Sequence, residues 1–454
     1  MVEGRGQPGG HRSRLVQGRT QSRRQLPLNL RRVNEVARRD KTTRFTALFH
    51  HVDVDALHRA FRRQKRRASA GVDGVTAEQY EEHLVANLRS LHHRLHTGRY
   101  RPQPVRRVYI PKADSSRRPL GMPTLEDKIV QGAVAEVLSA IYEVDFLGFS
   151  YGFRPGRGPH DALKSLHKAI MTQCVNWVLD ADLRRFFDSV DHEWLIRMVS
   201  HRIADPRVLN LIRQWLTAGV MEGNEWNETR EGTPQGAGIS PLLANIFLHY
   251  VLDLWAHQWR RREARGRVSI VRYADDFVLG FQYESDARRM LDALHERMGK
   301  FGQTLHAEKT RLIEFGRLRA IRARDSGRRR LKTFDFLGFT HYCGWTRNDR
   351  FILKRKTQRK KLTASLTRIR RMAKRRMHSP ITDQCKWLSR VLRGHYEYYG
   401  VRCNFSSLRS FYREICRIWY RALRRRSRCG MTWERFNQIL SSHLLPVPRI
   451  TQTY

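Results

Sequence analysis

Two apolar runs, residues 269–273 and 277–281, are separated only by Ala274, Asp275 and Asp276. Runs this short and this apolar read as buried strands, and so brief a gap allows only a tight connection between them. Two carboxylates therefore sit at the join. A third run of this kind, residues 177–183, carries Asp182 near its end. A carboxylate held among apolar flanks is unfavourable unless it meets a cation. Three that converge would favour a hard divalent ion with oxygen ligands. Two Mg²⁺ ions bridged by such groups can activate an attacking 3′ hydroxyl and stabilise a pyrophosphate leaving group. The pattern points to nucleotidyl transfer, while the plainer reading, that Asp275 and Asp276 are ordinary turn residues, stays open on this pair alone.

The charge balance narrows the partners. Against 43 Asp and Glu stand 87 Lys and Arg, a net charge of +44, which calls for a polyanion, nucleic acid before an anionic membrane surface. With 40% hydrophobic residues in 454, the chain is too rich in core-forming side chains to be a disordered basic tail. Residues 232–252 are uncharged and long enough to span a bilayer, but Pro234, Gln235, Ser240, Pro241 and Asn245 interrupt them, so they read as buried core and no membrane partner is expected. The cysteines at 174, 343, 385, 403, 416 and 429 form no CxxC pair, which argues against a disulfide framework and against zinc and suits a reduced cytosol. A cytoplasmic protein is expected.

Along the chain, residues 1–44 read as a flexible basic arm. Helical spacing follows from Phe45, a β-rich stretch at residues 105–111, a turn at residues 118–121 and a long helix at residues 125–142. Residues 333–342 read as one more strand. Strands and helices mix without a regular βαβ rhythm, so the fold class expected is α+β. Between residues 354 and 376, 12 of 23 residues are Lys or Arg and none is acidic, while Leu362, Leu366, Ile369 and Ala373 share a helical face. A solvated helix normally mixes its signs, so this block predicts RNA contact by Lys354, Arg355, Lys356, Arg359, Lys360, Lys361, Arg370, Arg371, Lys374 and Arg375. The aromatic residues Tyr396, Tyr398, Tyr399, Trp419 and Tyr420 read chiefly as helix core.

The segment Tyr273-Ala274-Asp275-Asp276, with Asp182 some ninety residues earlier, resembles the palm of reverse transcriptases. Residues 180–188 are similar to the first palm motif, which assigns the metal-binding role to Asp182 and its neighbour Leu183, together with Asp275 and Asp276. Residues 231–242 resemble the block whose Pro-Gln-Gly turn lies beside the incoming nucleotide, implying a contact from Gln235. Residues 110–121 resemble the fingers segment, implying that Lys112 and Arg118 hold the triphosphate. The resemblance also implies a sugar gate at Phe187, a general acid near pyrophosphate at Lys309, and a primer grip at Phe336, Leu337 and Gly338.

Residues 151–157 and 393–400 point more narrowly, because together they resemble bacterial group II intron reverse transcriptase/maturases. The resemblance implies a right-hand polymerase: fingers at residues 45–175, a palm with an antiparallel sheet at 176–345, an all-α basic thumb and maturase domain at 346–448, and a tail at 449–454. It implies RNA-directed DNA synthesis with two Mg²⁺ ions and no zinc. The implied partners are group II intron RNA, an RNA template with a DNA primer, target DNA and dNTPs, with roles in splicing and retrohoming. Lacking CxxC pairs, the chain is expected to be without the HNH endonuclease of some family members. Two other readings stay open: a retron-type or defence-associated reverse transcriptase, and an RNA-binding splicing cofactor with a vestigial polymerase site.

Overall fold

The computed structural model describes residues 26–453, apart from residues 112–116, 224, 230, 234–235, 237, 328–330 and 427–429; for Pro111, Arg117 and Arg118 it describes the backbone alone. Strands follow in the order β1 (Val105–Pro111), β2 (Arg117–Met122), β3 (Trp177–Asp182), β4 (Val220–Glu222), β5 (Glu225–Asn227), β6 (Val268–Tyr273), β7 (Asp276–Phe281), β8 (Arg311–Glu314), β9 (Phe334–Phe336), β10 (Phe339–Trp345) and β11 (Phe351–Thr357). They form three sheets, ordered β2-β1-β4-β5, β6-β7-β3-β8 and β11-β10-β9. All pairings are antiparallel except β1 with β4. With helices before, between and after the sheets, the architecture is the expected α+β.

A 21-residue helix, Leu125–Asp145, organises the first half. The Thr124 hydroxyl caps it by accepting from Asp127 N at 3.2 Å, which satisfies one of the free N–H groups of the first turn. Its apolar residues face several directions, and Ile129, Val130, Ala133, Leu138 and Ile141 are all buried, as expected of a helix surrounded by others. One of these neighbours is Leu28–Arg39, within the stretch expected to be a flexible arm. Leu30, Val33 and Ala37 recur at helical spacing there and are buried, so apolar periodicity outweighs the basic composition.

Three further expectations change. Residues 118–121 belong to strand β2, paired with β1; hydrogen bonding to a neighbour overrides the turn tendency of Pro119 and Gly121. The strand expected at residues 333–342 is a hairpin, because Leu337 (φ 49°) and Gly338 (φ 78°) both adopt the left-handed region that suits a two-residue turn between twisted strands. The basic block also begins as strand β11, and its helix runs only from Arg359 to Arg375.

Residues 239–252 are buried or half-buried as expected, whereas Gly236 and Gly238 are exposed; Ser240–Leu248 is an α-helix, His249–Asp253 a π turn, and Leu254–Arg262 continues it. Among the described residues, no helix is long and apolar enough to cross a membrane. The C-terminal helices Arg359–Arg375, Ile381–Tyr399, Phe405–Arg426 and Trp433–Ser442 enclose their own core around Ile369, Leu392, Phe411, Ile415 and Trp419. Tyr396 and Trp419 are buried, Trp419 donating to Gln384, and Tyr420 stacks on Trp433 at 3.9 Å.

Candidate active site

The three carboxylates meet at one end of the β6-β7-β3-β8 sheet. Strands β3 and β7 pair so that Asp182 lies directly opposite Asp276. Like charges facing across a ladder repel. Ala274 and Asp275 form the two-residue connection between β6 and β7, whose last pair is Tyr273 with Asp276. Ala274 has φ 58°, a left-handed conformation that costs a residue with a Cβ about 1–2 kcal/mol.

The crowding is visible in the acidities. Asp276 is exposed by surface area, yet the protein around it leaves its carboxylate poorly solvated. This poor solvation, followed by the charges of Asp275, Asp182 and Asp180, pushes its carboxyl up to about 7. Asp180, two positions before Asp182 and hence on the same face of β3, is raised to about 6 by burial, with Arg311 pulling the other way. Arg311 Nη2 lies 3.2 Å from Asp180 Oδ2.

The segment that leads into β8, the neighbour of β3, closes on Asp182. Leu183 bridges Leu305, Arg184 N donates to Thr304 O at 2.9 Å, and His306 N donates to Asp182 O at 2.8 Å. This places Lys309 Nζ 2.5 Å from Asp182 Oδ2. The buried, apolar side chain of Leu183 leaves only its main-chain oxygen as a possible ligand.

The donor set is carboxylate and main-chain oxygen, which suits a hard divalent cation, and the mutual repulsion of the acids is what such a cation would relieve. Among the described residues, however, no three His, Cys, Asp or Glu side chains already surround a single ion-sized point. The acids are gathered without forming a finished coordination shell, and Lys309 supplies the nearest positive charge. The chemistry of Mg²⁺ fits this donor set, in which Lys309 already pairs with one oxygen of Asp182.

Phe187 is half-buried, edge-on to the buried Phe186 at 5.3 Å. Its carbonyl accepts from Thr233 N at 2.7 Å, and Gly232 N donates to Val190 O at 2.8 Å, so the start of the Pro-Gln-Gly block is laid against the Phe187 turn. Gly232 (φ 86°) has no room for a Cβ, which would fall 2.9 Å from Phe187 O. Gly236 (φ 117°) lies so close to β2 that a Cβ would stand 2.6 Å from Gly121 O. Lys112 and Gln235 lie outside the described residues, as does the side chain of Arg118, whose backbone is part of β2.

At the β9–β10 turn, Tyr398 donates to Leu337 O at 2.9 Å and Gln358 N donates to Gly338 O at 3.0 Å. Tyr398 on a C-terminal helix and Gln358 just after β11 thus hold the main chain of Leu337 and Gly338. Of the basic residues expected to meet RNA, Arg359, Lys360, Lys361, Arg370, Arg371, Lys374 and Arg375 are exposed on one helix, and Lys356 is exposed on β11. Lys354 is half-buried, with its side chain over Gly344. Arg355 is a correction: at 2% exposure it points into the protein, because alternation along β11 sends it to the face opposite Lys354 and Lys356. Sequence reading also passed over Arg272, fully buried beside the carboxylate turn; an arginine inside an apolar strand was the available signal.

A family profile described as reverse transcriptase (RNA-dependent DNA polymerase) matches residues 110–341. Protein YkfC of Escherichia coli is 38% identical over 239 residues, covering 46% of this chain and 62% of the relative. The group II intron-encoded protein LtrA of Lactococcus lactis is 36% identical over 231 residues, covering 50% of this chain and 38% of the relative. A nuclear intron maturase of Arabidopsis thaliana is 26% identical over 154 residues, 34% of this chain and 18% of the relative. The chain thus spans less than two thirds of each of these relatives.

Proposed function

The chain belongs to the reverse transcriptase (RNA-dependent DNA polymerase) family, and from that premise we propose that it copies RNA into DNA at Asp182, Asp275 and Asp276 and binds group II intron RNA as a maturase. The observation that carries the catalytic half is the register of β3 on β7, which sets Asp182 against Asp276 beside the Ala274–Asp275 turn. In the reaction, a primer 3′ hydroxyl gives its proton to solvent and its oxygen bonds to the α-phosphorus of a dNTP as the bond to the β-phosphate oxygen breaks and pyrophosphate departs. Two Mg²⁺ ions, held by Asp182, Asp275, Asp276 and the Leu183 carbonyl, would supply charge stabilisation to the entering and leaving oxygens.

The chain's own groups do the rest. Lys112, Arg118 and Gln235 hold the nucleotide, and the Phe187 ring excludes a ribose 2′ hydroxyl. Lys309, beside Asp182, delivers a proton to the departing pyrophosphate. Phe336, Leu337 and Gly338 hold the primer end. Residues 45–175 act as fingers, 176–345 as palm and 346–448 as thumb and maturase domain. The maturase half is supported by the likeness to the intron-encoded LtrA and by the acid-free basic helix at Arg359–Arg375. Its exposed cations would grip the intron RNA and stabilise the folded ribozyme, which performs the splicing chemistry itself.

Wild type and Asp275→Ala, assayed for cDNA synthesis on a primed RNA and for splicing of the intron RNA, test both halves. Synthesis lost with splicing kept supports the assignment; equal synthesis by the two proteins would overturn the catalytic site. Absence of splicing stimulation by wild type would remove the maturase role.

A further inference from the structure

Behind the carboxylate turn lies a buried polar cluster that takes no part in the reaction described above. Arg272, Asp253 and Ser150 are fully buried, and Asn245 is 1% exposed. The Arg272 guanidinium uses every N–H it has. Nε and Nη2 grip Asp253 Oδ1 and Oδ2 at 2.7 and 2.6 Å, Nη2 also reaches Ser150 Oγ at 2.7 Å, and Nη1 reaches Asn245 Oδ1 at 3.0 Å. The last bond, from Nη1 at 2.9 Å, goes to the carbonyl of Ala274, the residue that bends the chain into Asp275.

Two other segments converge on the same turn. Arg272 N donates to Phe149 O at 2.9 Å and Tyr151 N donates to Arg272 O at 2.9 Å, so residues 149–151 lie along the outer edge of β6. Gly152 follows, where a Cβ would stand 2.3 Å from Ala274 N, and Asn245 Nδ2 holds its carbonyl at 2.8 Å. The Tyr151–Gly152–Phe153 motif, which served above only to narrow the family resemblance, is therefore the wall behind the turn.

The helix at the back is shaped to match. Asn245 and Asp253 are eight residues apart, which in a regular α-helix would point them about 80° away from each other. The π turn at His249–Asp253 winds less per residue, which reduces that offset and brings both acceptors to one guanidinium. Such turns frequently mark functional positions.

We propose that Arg272 is a positioning residue for the polymerase site: clamped by Asp253 and Asn245, it holds the Ala274 carbonyl and so fixes the left-handed turn that presents Asp275 and Asp276. A planar fork is needed because one cation must satisfy acceptors at the Ala274 turn, at Asn245 and Asp253 on the π-bulged helix and at Ser150 at once. A lysine can keep the charge opposite Asp253 but cannot match that fork. This inference rests on the polymerase reading above.

The test uses the full chain with Arg272→Lys, reading melting temperature, single-nucleotide incorporation and hydrogen exchange of the amides at residues 273–277. The expected result is a folded protein whose kcat falls by about tenfold or more while KM for dNTP stays within about twofold. Exchange at the turn should rise, with the other strands of the sheet unchanged. A folded Arg272→Lys with wild-type kcat, or with unchanged exchange at the turn, overturns the proposal.

Should Arg272→Lys fail to fold, Asp253→Asn, which keeps the shape and one acceptor, is judged by the same criteria. Gly152→Ala leaves the buried charges intact and pushes on Ala274 from outside, and unchanged kcat and turn exchange in that variant also overturn the proposal. If wild type made no DNA, the polymerase reading would fail, while turn exchange in the variants would still decide whether Arg272 holds the turn.

Discussion

Lys309 Nζ lies 2.5 Å from Asp182 Oδ2 although 127 residues separate them, so an acid assigned to a metal is held by a lysine assigned to the leaving group. One side chain then has two opposed effects, which can be separated. Lys309→Met removes a competitor for Asp182 and should tighten Mg²⁺ binding, read as a larger Mg²⁺-dependent rise in melting temperature. The same variant loses the proton donor, and kcat should fall by about 10²-fold, the low end for general acid catalysis. Weaker Mg²⁺ binding together with normal kcat would contradict both roles.

Phe187 leans on the buried Phe186, so shortening it should leave the fold intact and open space on one side only. Phe187→Ala is expected to reduce discrimination between dNTP and rNTP by up to about 10²-fold, the range over which a hydrophobic wall can reject an added hydroxyl. Competing incorporation of the two nucleotides opposite one template base measures it. Unchanged discrimination would return Phe187 to the core.

The basic helix and the strand before it make a controlled pair for RNA binding. Lys360→Glu and Lys374→Glu alter exposed positions and should weaken intron RNA binding, flattening the dependence of log K on log salt by about 0.7–0.9 for each phosphate left without its cation. Arg355→Gln alters a buried one and should lower the melting temperature with the salt slope unchanged. Filter binding between low and moderate salt distinguishes the two patterns.

Acid should destabilise the protein in a defined window. His249 and His395 are buried, and desolvation holds each ring down to about 4 from the ordinary 6.5. Between those two values the unfolded chain binds more protons than the native one, so stability falls as pH falls. The contribution is fully present above about 6.5 and gone by about 4, at most about 3 kcal/mol for each histidine. Urea midpoints at several pH values test this. His395→Phe, which keeps a ring stacked on Phe411, should flatten the pH dependence.

The sequence by itself determined the elements that are apolar along their length. The strands at residues 177–182, 268–273 and 276–281 were legible as short apolar runs and the helix at residues 125–145 as a long one, because each is buried on more than one side. Motif matches named Asp182, Asp275 and Asp276, and strand register set Asp182 opposite Asp276. Only the tertiary structure decided that Arg355 turns inward where its neighbours turn out, that Leu28–Arg39 is a packed helix, and that Lys309 reaches Asp182. It alone revealed the hold of Arg272 on Ala274, with acceptors drawn from residues 150, 245, 253 and 274. The reason is physical: periodicity records which face of an element is covered, whereas a charged side chain's partner depends on the distant segment that covers it.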